Sequence, residues 1–268
     1  MAPRFNFKKF SVRQEISAMK VNTDAVLLGS WAGVSKENKQ VKLLDVGTGT
    51  GVIALMMAQR LNDAGVEFDI TGIDPDHASV TESAFNFDNS PWRELLHTQE
   101  ITLQKLVTQE SGESYDLMVS NPPFFTASLK APEIRRTISR HNDSLPFRDI
   151  IVAAMHLLKS GGLLSVILPA GEAETFRREV RGMATVTEPS LFLTRICSVK
   201  TTAHKPVKRV MMEFAKLPEN ISLTDIGGCK EENLVIYEPD GVTKSREYRD
   251  LTSDFYLDTL FSPPLRNS

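Results

Sequence analysis

The chain has 268 residues, with 31 Lys and Arg against 34 Asp and Glu, and its net charge of −3 excludes the global basic field of an indiscriminate nucleic-acid binder. Its length and a 41% hydrophobic share suit one large α/β domain with extensions, and nothing resembles an internal repeat or a low-complexity tract. Cys197 and Cys229 lie far apart, and His77, His97, His141, His156 and His204 show no ligand spacing, which argues against structural zinc and disulfides, so no metal is expected.

The start, Met1 to Lys9, has no apolar signal core, and no apolar run approaches the roughly 18 residues of a membrane span. A soluble, cytoplasmic protein is expected, with a monomer as the starting point. Phe5 and Phe7, then Phe10 and Val12, alternate at period two with a break at Lys8-Lys9, which predicts short strands or a bulged hairpin. The lysines are either a solvated pair or phosphate contacts. Asn22 or Thr23 can cap a short apolar helix up to Trp31, which covers one edge of a pocket or simply the core.

Val41 to Val46 is a buried-strand run, Gly47-Thr48-Gly49-Thr50-Gly51 a glycine-rich turn, and Val52 to Leu61 a helix apolar on nearly all sides. Such glycines let a backbone approach a ligand closely. The dinucleotide fingerprint Gly-x-Gly-x-x-Gly would need glycine at position 52, where Val52 stands. Asp45, two residues before the first glycine, would repel a pyrophosphate and suits a cationic amino-acid moiety. S-adenosyl-L-methionine carries an ammonium and a sulfonium and no phosphate, and is the expected cofactor. A second strand, Phe68 to Asp74, puts Asp74 where it can accept both ribose hydroxyls, or where it only caps the helix predicted from about Asp76 to Phe87. A third strand is expected near Glu100 to Leu103.

The strand Tyr115 to Ser120 delivers Asn121-Pro122-Pro123-Phe124-Phe125 to its carboxyl end, where open α/β sheets keep their ligands. Two prolines remove two N–H donors and fix φ, so the Pro122 carbonyl is left for a guest. Asn121 adds a side-chain acceptor and Phe124 a flat face, together a pocket for an amine on a planar ring such as adenine. Taken alone, the stretch also reads as an ordinary Asn-Pro turn. In a doubly wound sheet this loop and the glycine loop face each other across the switch point.

Residues 126–144 form a long polar connection with Arg135, Arg136, Arg140 and His141, able to clamp phosphates or merely solvated. Phe147 to Leu158 repeats at helical spacing up to Gly161-Gly162, which predicts a helix capped there, before a fifth strand from Leu163 to Leu168. Glu172 to Met183 suggests another helix. Leu191–Val199 and Val207–Leu217 suggest a long antiparallel pair whose basic tip, Lys200 to Pro206, either reaches RNA or is a solvated hairpin end.

Together these residues resemble the class I S-adenosylmethionine-dependent methyltransferases, and within them the bacterial tRNA(Val) adenine-37 N6-methyltransferases. The likeness is carried by Phe7 to Phe10, Lys20 to Asp24, Leu28 to Trp31, Asp45 to Gly51, Asn121 to Phe125, Arg140-His141 and Asp254 to Leu257. It implies a Rossmann-like, seven-stranded sheet with helices on both faces and a tRNA substrate. Residues 1–40 would be an extension near the cofactor pocket, 41–217 the core sheet and 218–268 a C-terminal extension. Cofactor contacts would come from Asp45, Gly47, Thr48, Gly49, Gly51, Asp74 and Asn121, with Leu103 or Gln104 after the third strand where many such enzymes carry an acidic or polar residue that meets adenine. Asn121, Pro122, Pro123 and Phe124 would be catalytic, and Lys8, Lys9, Arg135, Arg136, Arg140 and His141 would touch RNA. The alternatives for the same pocket are the N2 of a guanine in rRNA, a glutamine N5 in a protein, or a non-catalytic RNA-binding module.

Overall fold

The computed structural model describes residues 4–34, 39–123, 145–183, 190–217 and 228–261. Phe124, Phe125, Arg135, Arg136, Arg140 and His141, and with them four of the expected RNA contacts, lie outside the described residues. The chain opens with a small antiparallel pair, β1 (Arg4–Asn6) and β2 (Ser11–Arg13), as the alternating phenylalanines predict. Helix α1 (Thr23–Trp31) follows, capped by Asn22, whose side chain accepts the Ala25 N–H at 2.9 Å. Then come β3 (Gln40–Val46), α2 (Val52–Asp63), β4 (Glu67–Asp74), α3 (His77–Asp88), β5 (Leu96–Glu100), α4 (Leu103–Gln109) and β6 (Tyr115–Ser120). The second half supplies α5 (Phe147–Leu157), β7 (Leu158–Pro169), α6 (Ala170–Met183), β8 (Ser190–Lys200), β9 (Val207–Leu217), β10 (Lys230–Val235) and α7 (Arg246–Thr252).

Among the described residues the main sheet runs β10-β8-β9-β7-β6-β3-β4-β5, eight strands where seven were expected. The additional strand is β10, from the C-terminal extension, paired parallel to β8 from Lys230 opposite Arg195 to Val235 opposite Lys200. Its opening Lys230-Glu231-Glu232-Asn233 has no apolar alternation, so only the pairing reveals it. Strand β9 is antiparallel to both neighbours, and the remaining pairings are parallel. Parallel strands need both faces covered. Successive side chains accordingly point into opposite layers: Leu43 joins the layer of α1 and α2, while Leu44 joins that of α5 and α6. Helix α2 is buried nearly all round, through Ala54, Leu55, Met56, Met57 and Ala58, each burial of a large apolar side chain contributing about 1.5–3 kcal/mol.

Two boundaries differ from the sequence reading. The third strand of the parallel half ends at Glu100, so Leu103 and Gln104 fall in α4, with Leu103 buried among Ile73, Ile101 and Leu106. Gly161-Gly162 does not cap α5. The helix stops at Leu157, β7 starts at Leu158, and the glycines lie in a bulge where Tyr115 pairs with Leu158 but Leu117 already pairs with Leu163. A Cβ on Gly162 would meet the Lys159 and Asp116 carbonyl oxygens at 2.9 and 3.1 Å.

The two extensions pack against each other. Phe7 stacks on Phe10 and Tyr256, the Lys8 N–H donates to the Phe255 carbonyl at 2.8 Å, and Gln59 of α2 donates to the Asp254 carbonyl at 2.9 Å.

Candidate active site at the carboxyl edge of the sheet

In register, Val46 at the end of β3 stands opposite Ile73 of β4 and Ser120 of β6. The loops after β3, β4 and β6 therefore open onto one crevice at the switch point, where chain order reverses around β3. Gly47 and Thr48 donate to the Ile73 carbonyl at 2.9 and 3.0 Å, and Gly51 donates to the Thr48 carbonyl at 2.8 Å, which folds the turn tightly. Gly47, at φ +73, has nothing among the described residues within 4 Å of where a Cβ would stand, so the backbone there is open to a ligand. Gly51, at φ +79, is the α2 cap, and a Cβ would fall 2.5 Å from the Phe87 ring.

Asp45 is fully buried beneath this turn, with Oδ2 accepting the Thr48 hydroxyl at 2.8 Å and Oδ1 lacking a partner among the described residues. Burial pushes its pKa up to about 7, with Asp74 adding slightly in the same direction and the Thr48 hydrogen bond opposing. A cation bound over the turn would favour the carboxylate. Asp74 accepts the Gly49 N–H at 3.0 Å on Oδ2 and the Asp76 N–H at 3.0 Å on Oδ1, so it organises the glycine loop as well as standing at its mouth.

Sequence reasoning missed a strap over this loop. Glu82 of α3, fully buried, accepts the N–H groups of Glu15 at 2.6 Å, Ile16 at 3.2 Å and Ser17 at 2.9 Å. Asn86, one turn on, accepts the Arg13 N–H at 2.7 Å and donates to the carbonyls of Arg13 at 2.9 Å and Thr50 at 2.8 Å. Residues 13–19 are thereby held against the glycine turn: the Ser17 hydroxyl and the Met19 carbonyl lie 3.9 and 4.0 Å from the Cβ position of Gly49. The signal was a helix whose buried face is polar, with Ser79, Glu82, Ser83 and Asn86 at three- and four-residue spacing.

Asn121 and Pro122 are buried at the end of β6, and Pro123 is exposed. The strand end is fixed by Ser120, whose hydroxyl donates to the Val46 carbonyl at 2.9 Å. Asn121 Nδ2 lies 3.9 Å from Met19 Sδ, so the strap and the Asn-Pro-Pro loop meet. Asn121 Oδ1 is buried without a partner among the described residues. An orphaned acceptor of this kind costs about 1–3 kcal/mol, and a donor brought by a ligand would recover it.

Lys8 and Lys9 are placed elsewhere. Lys8 pairs with Asp258 at 2.9 Å and Lys9 with Asp63 at 2.6 Å, the latter at the far end of α2 from the glycine loop. A cavity of about 590 Å³ lies at the amino edge of the sheet between Gly33, Asp116, Lys159 and Glu213, away from every candidate residue. Among the described residues no group of three or more His, Cys, Asp or Glu is gathered to hold a metal, and no helix is long and apolar enough to cross a membrane.

Residues 26–190 match the family model of the methyltransferase small domain. The chain is 38% identical over 253 residues to the tRNA1(Val) (adenine(37)-N6)-methyltransferase of Flavobacterium psychrophilum, covering 94% of this chain and 99% of the relative. With the protein of the same name from Trichodesmium erythraeum it shares 37% identity, covering 95% and 98%. Among solved structures, a predicted O-methyltransferase from Agrobacterium tumefaciens superposes with a TM-score of 0.61 at 16% identity, over 87% of this chain and 96% of that one. P. horikoshii TYW2 in complex with MeSAdo gives 0.53 at 10% identity, over 79% and 70%.

Proposed function

The chain belongs to the methyltransferase small-domain family, and from that premise we propose that it transfers a methyl group from S-adenosyl-L-methionine to the N6 amine of adenine 37 in a valine tRNA. The observation that carries the site assignment is the buried Oδ1 of Asn121, without a partner among the described residues, beside a glycine turn whose Gly47 is open to a ligand among those same residues. The residues fit the cofactor: an open backbone at Gly47, a buried acid at Asp45 and an acid at the mouth in Asp74 suit a molecule with a cationic amino-acid end and a ribose.

When bound, S-adenosylmethionine supplies an electrophilic methyl on a sulfonium and leaves as a neutral thioether. The chain's own residues prepare the nucleophile. The lone pair of an adenine amine is delocalised into the ring and is a poor nucleophile in the plane. Asn121 Oδ1 accepts one amine hydrogen and the Pro122 carbonyl the other, drawing the nitrogen toward a tetrahedral arrangement in which the pair is localised. Asn121 and Pro122 are buried residues at a fixed strand end, so their acceptors would be held before the reaction and stabilise developing positive charge without reorganising. No general base is needed, since the nitrogen becomes acidic once cationic and its proton leaves to solvent. Asp45 and Asp74 set the cofactor in place, the strap 13–19 forms its outer wall, and Phe124 supplies the stacking face for an extruded base.

We infer a cytoplasmic location from the tRNA substrate, and read the chain as one methyltransferase domain with its extensions. The test is transfer from methyl-labelled cofactor to an unmodified valine tRNA transcript and to the same transcript with guanine at position 37. Label as N6-methyladenosine on the first alone is expected. Equal labelling of both, or label as N2-methylguanosine, overturns the reading.

A further inference from the structure

We propose that the open end of the β8–β9 hairpin is a phosphate-binding surface that grips the tRNA backbone beside the target base; it rests on the tRNA reading above. The hairpin end lies at the carboxyl edge of the sheet, as Asn121 does: Lys200 ends β8 opposite Val207, and Arg209 of β9 pairs with Pro169 at the end of β7. Three strand spacings separate β8 from β6, about 14 Å at ~4.8 Å each. That is the reach of roughly four stacked nucleotides at ~3.4 Å per step. The span is bridged by the strap, because Met19 touches Asn121 and, five residues on, Asp24 pairs with Arg209 at 2.7 Å.

A cavity of about 330 Å³ opens here between the start of α1 at Asn22 and the hairpin residues Lys200, Lys208 and Arg209. Asp24 is the acid among its lining residues, and it is already engaged by Arg209. Lys200, Lys208 and, on the exposed tip, Lys205 have no carboxylate partner among the described residues. Lys8, Lys9, Lys159, Lys216 and Lys230 are each tied to an acid. Lys39 and Lys42, also without an acid partner among the described residues, stand at the opposite, amino edge of the sheet, so what sets the three apart is their shared place at the hairpin end. In a chain of net charge −3, two ammonium groups lining one cavity and a third on the adjoining hairpin tip, none with a carboxylate partner among the described residues, form a local patch suited to a polyanion. Lysine acts on phosphate as a point charge, without base reading, so this surface would position the anticodon arm and leave the choice of base to the Asn121 pocket.

The test uses the full chain and a valine tRNA transcript, with dissociation constants measured over a series of salt concentrations. Replacing Lys200, Lys205 and Lys208 together by alanine should weaken binding roughly tenfold or more near 0.1 M salt and reduce the slope of log K against log salt by about 2, since each lost contact removes about 0.7–0.9. Lysine to arginine at the same three positions should retain affinity and slope. The double variant Lys39→Ala, Lys42→Ala, at the amino edge of the sheet, should bind as the wild type does, as should S-adenosylmethionine to every variant. An unchanged slope in the triple alanine variant, with the wild type binding tRNA, overturns the surface alone. Absence of any tRNA binding by the wild type overturns the functional reading, and the surface with it.

Discussion

Asp45→Asn isolates the cost of burying a charge beneath the cofactor loop. The amide oxygen of asparagine can still accept the Thr48 hydroxyl, so the turn should survive. Burial raises the Asp45 pKa from 3.8 to about 7. The unfolded chain gives up this proton near 3.8 while the folded one keeps it to about 7, so stability of the cofactor-free protein falls as pH rises through that window and the loss is complete above it. Three pKa units at 1.36 kcal/mol each set a ceiling of about 4 kcal/mol. Asparagine cannot ionise and escapes the loss. In urea unfolding the variant's advantage over the wild type should grow by about 2–3 kcal/mol between pH 5 and pH 8, toward the ceiling of about 4 kcal/mol, while it binds S-adenosylmethionine more weakly at pH 8 because the cation loses its counter-charge. Wild-type binding below pH 7 should release a proton, visible in calorimetry as a heat that changes with the ionisation enthalpy of the buffer. Identical stability differences at pH 5 and pH 8, or binding heats independent of the buffer, would refute the assignment of a strained, proton-holding Asp45.

Asp74→Ala removes the acceptor of the Gly49 and Asp76 N–H groups as well as a ribose acceptor, and should raise the cofactor dissociation constant roughly 10- to 100-fold, the scale of one charge-assisted hydrogen bond, with turnover at saturation little changed. A fall in saturated turnover at unchanged affinity contradicts that role. Glu82→Gln puts an amide donor against the Ser17 or Glu15 N–H, so the strap should loosen: KM for the cofactor should rise about tenfold with kcat retained and a lower Tm. An unaltered KM in a variant that is merely less stable would leave Glu82 without influence on the site.

The parts of the site that sequence made legible are those written locally. A glycine turn after an apolar strand, an acid ending the next strand and Asn-Pro-Pro ending another each announce themselves within a few residues, and sheet topology brings them together. What escaped depends on distant partners. The grip of Glu82 on Glu15, Ile16 and Ser17 spans about 65 residues of sequence, and within α3 it shows only as polar residues on a face that proves buried. Lys9 reads from sequence as a solvated charge or a phosphate contact, and its ion pair with Asp63, 54 residues away, leaves no local signal. Gly161-Gly162 carries the same local signal as a helix stop, and only the pairing of β6 with β7 identifies the bulge. Strand β10 gains its pairing from β8 rather than from its own polar sequence.

The most direct test of the catalytic assignment is single-turnover methylation of unmodified valine tRNA by Asn121→Ala at saturating cofactor and RNA. Loss of one pre-organised acceptor predicts a rate lowered by about 10²- to 10³-fold, with the melting temperature and tRNA affinity of the wild type retained. A rate within a few-fold of wild type would show that the buried oxygen of Asn121 does not prepare the amine.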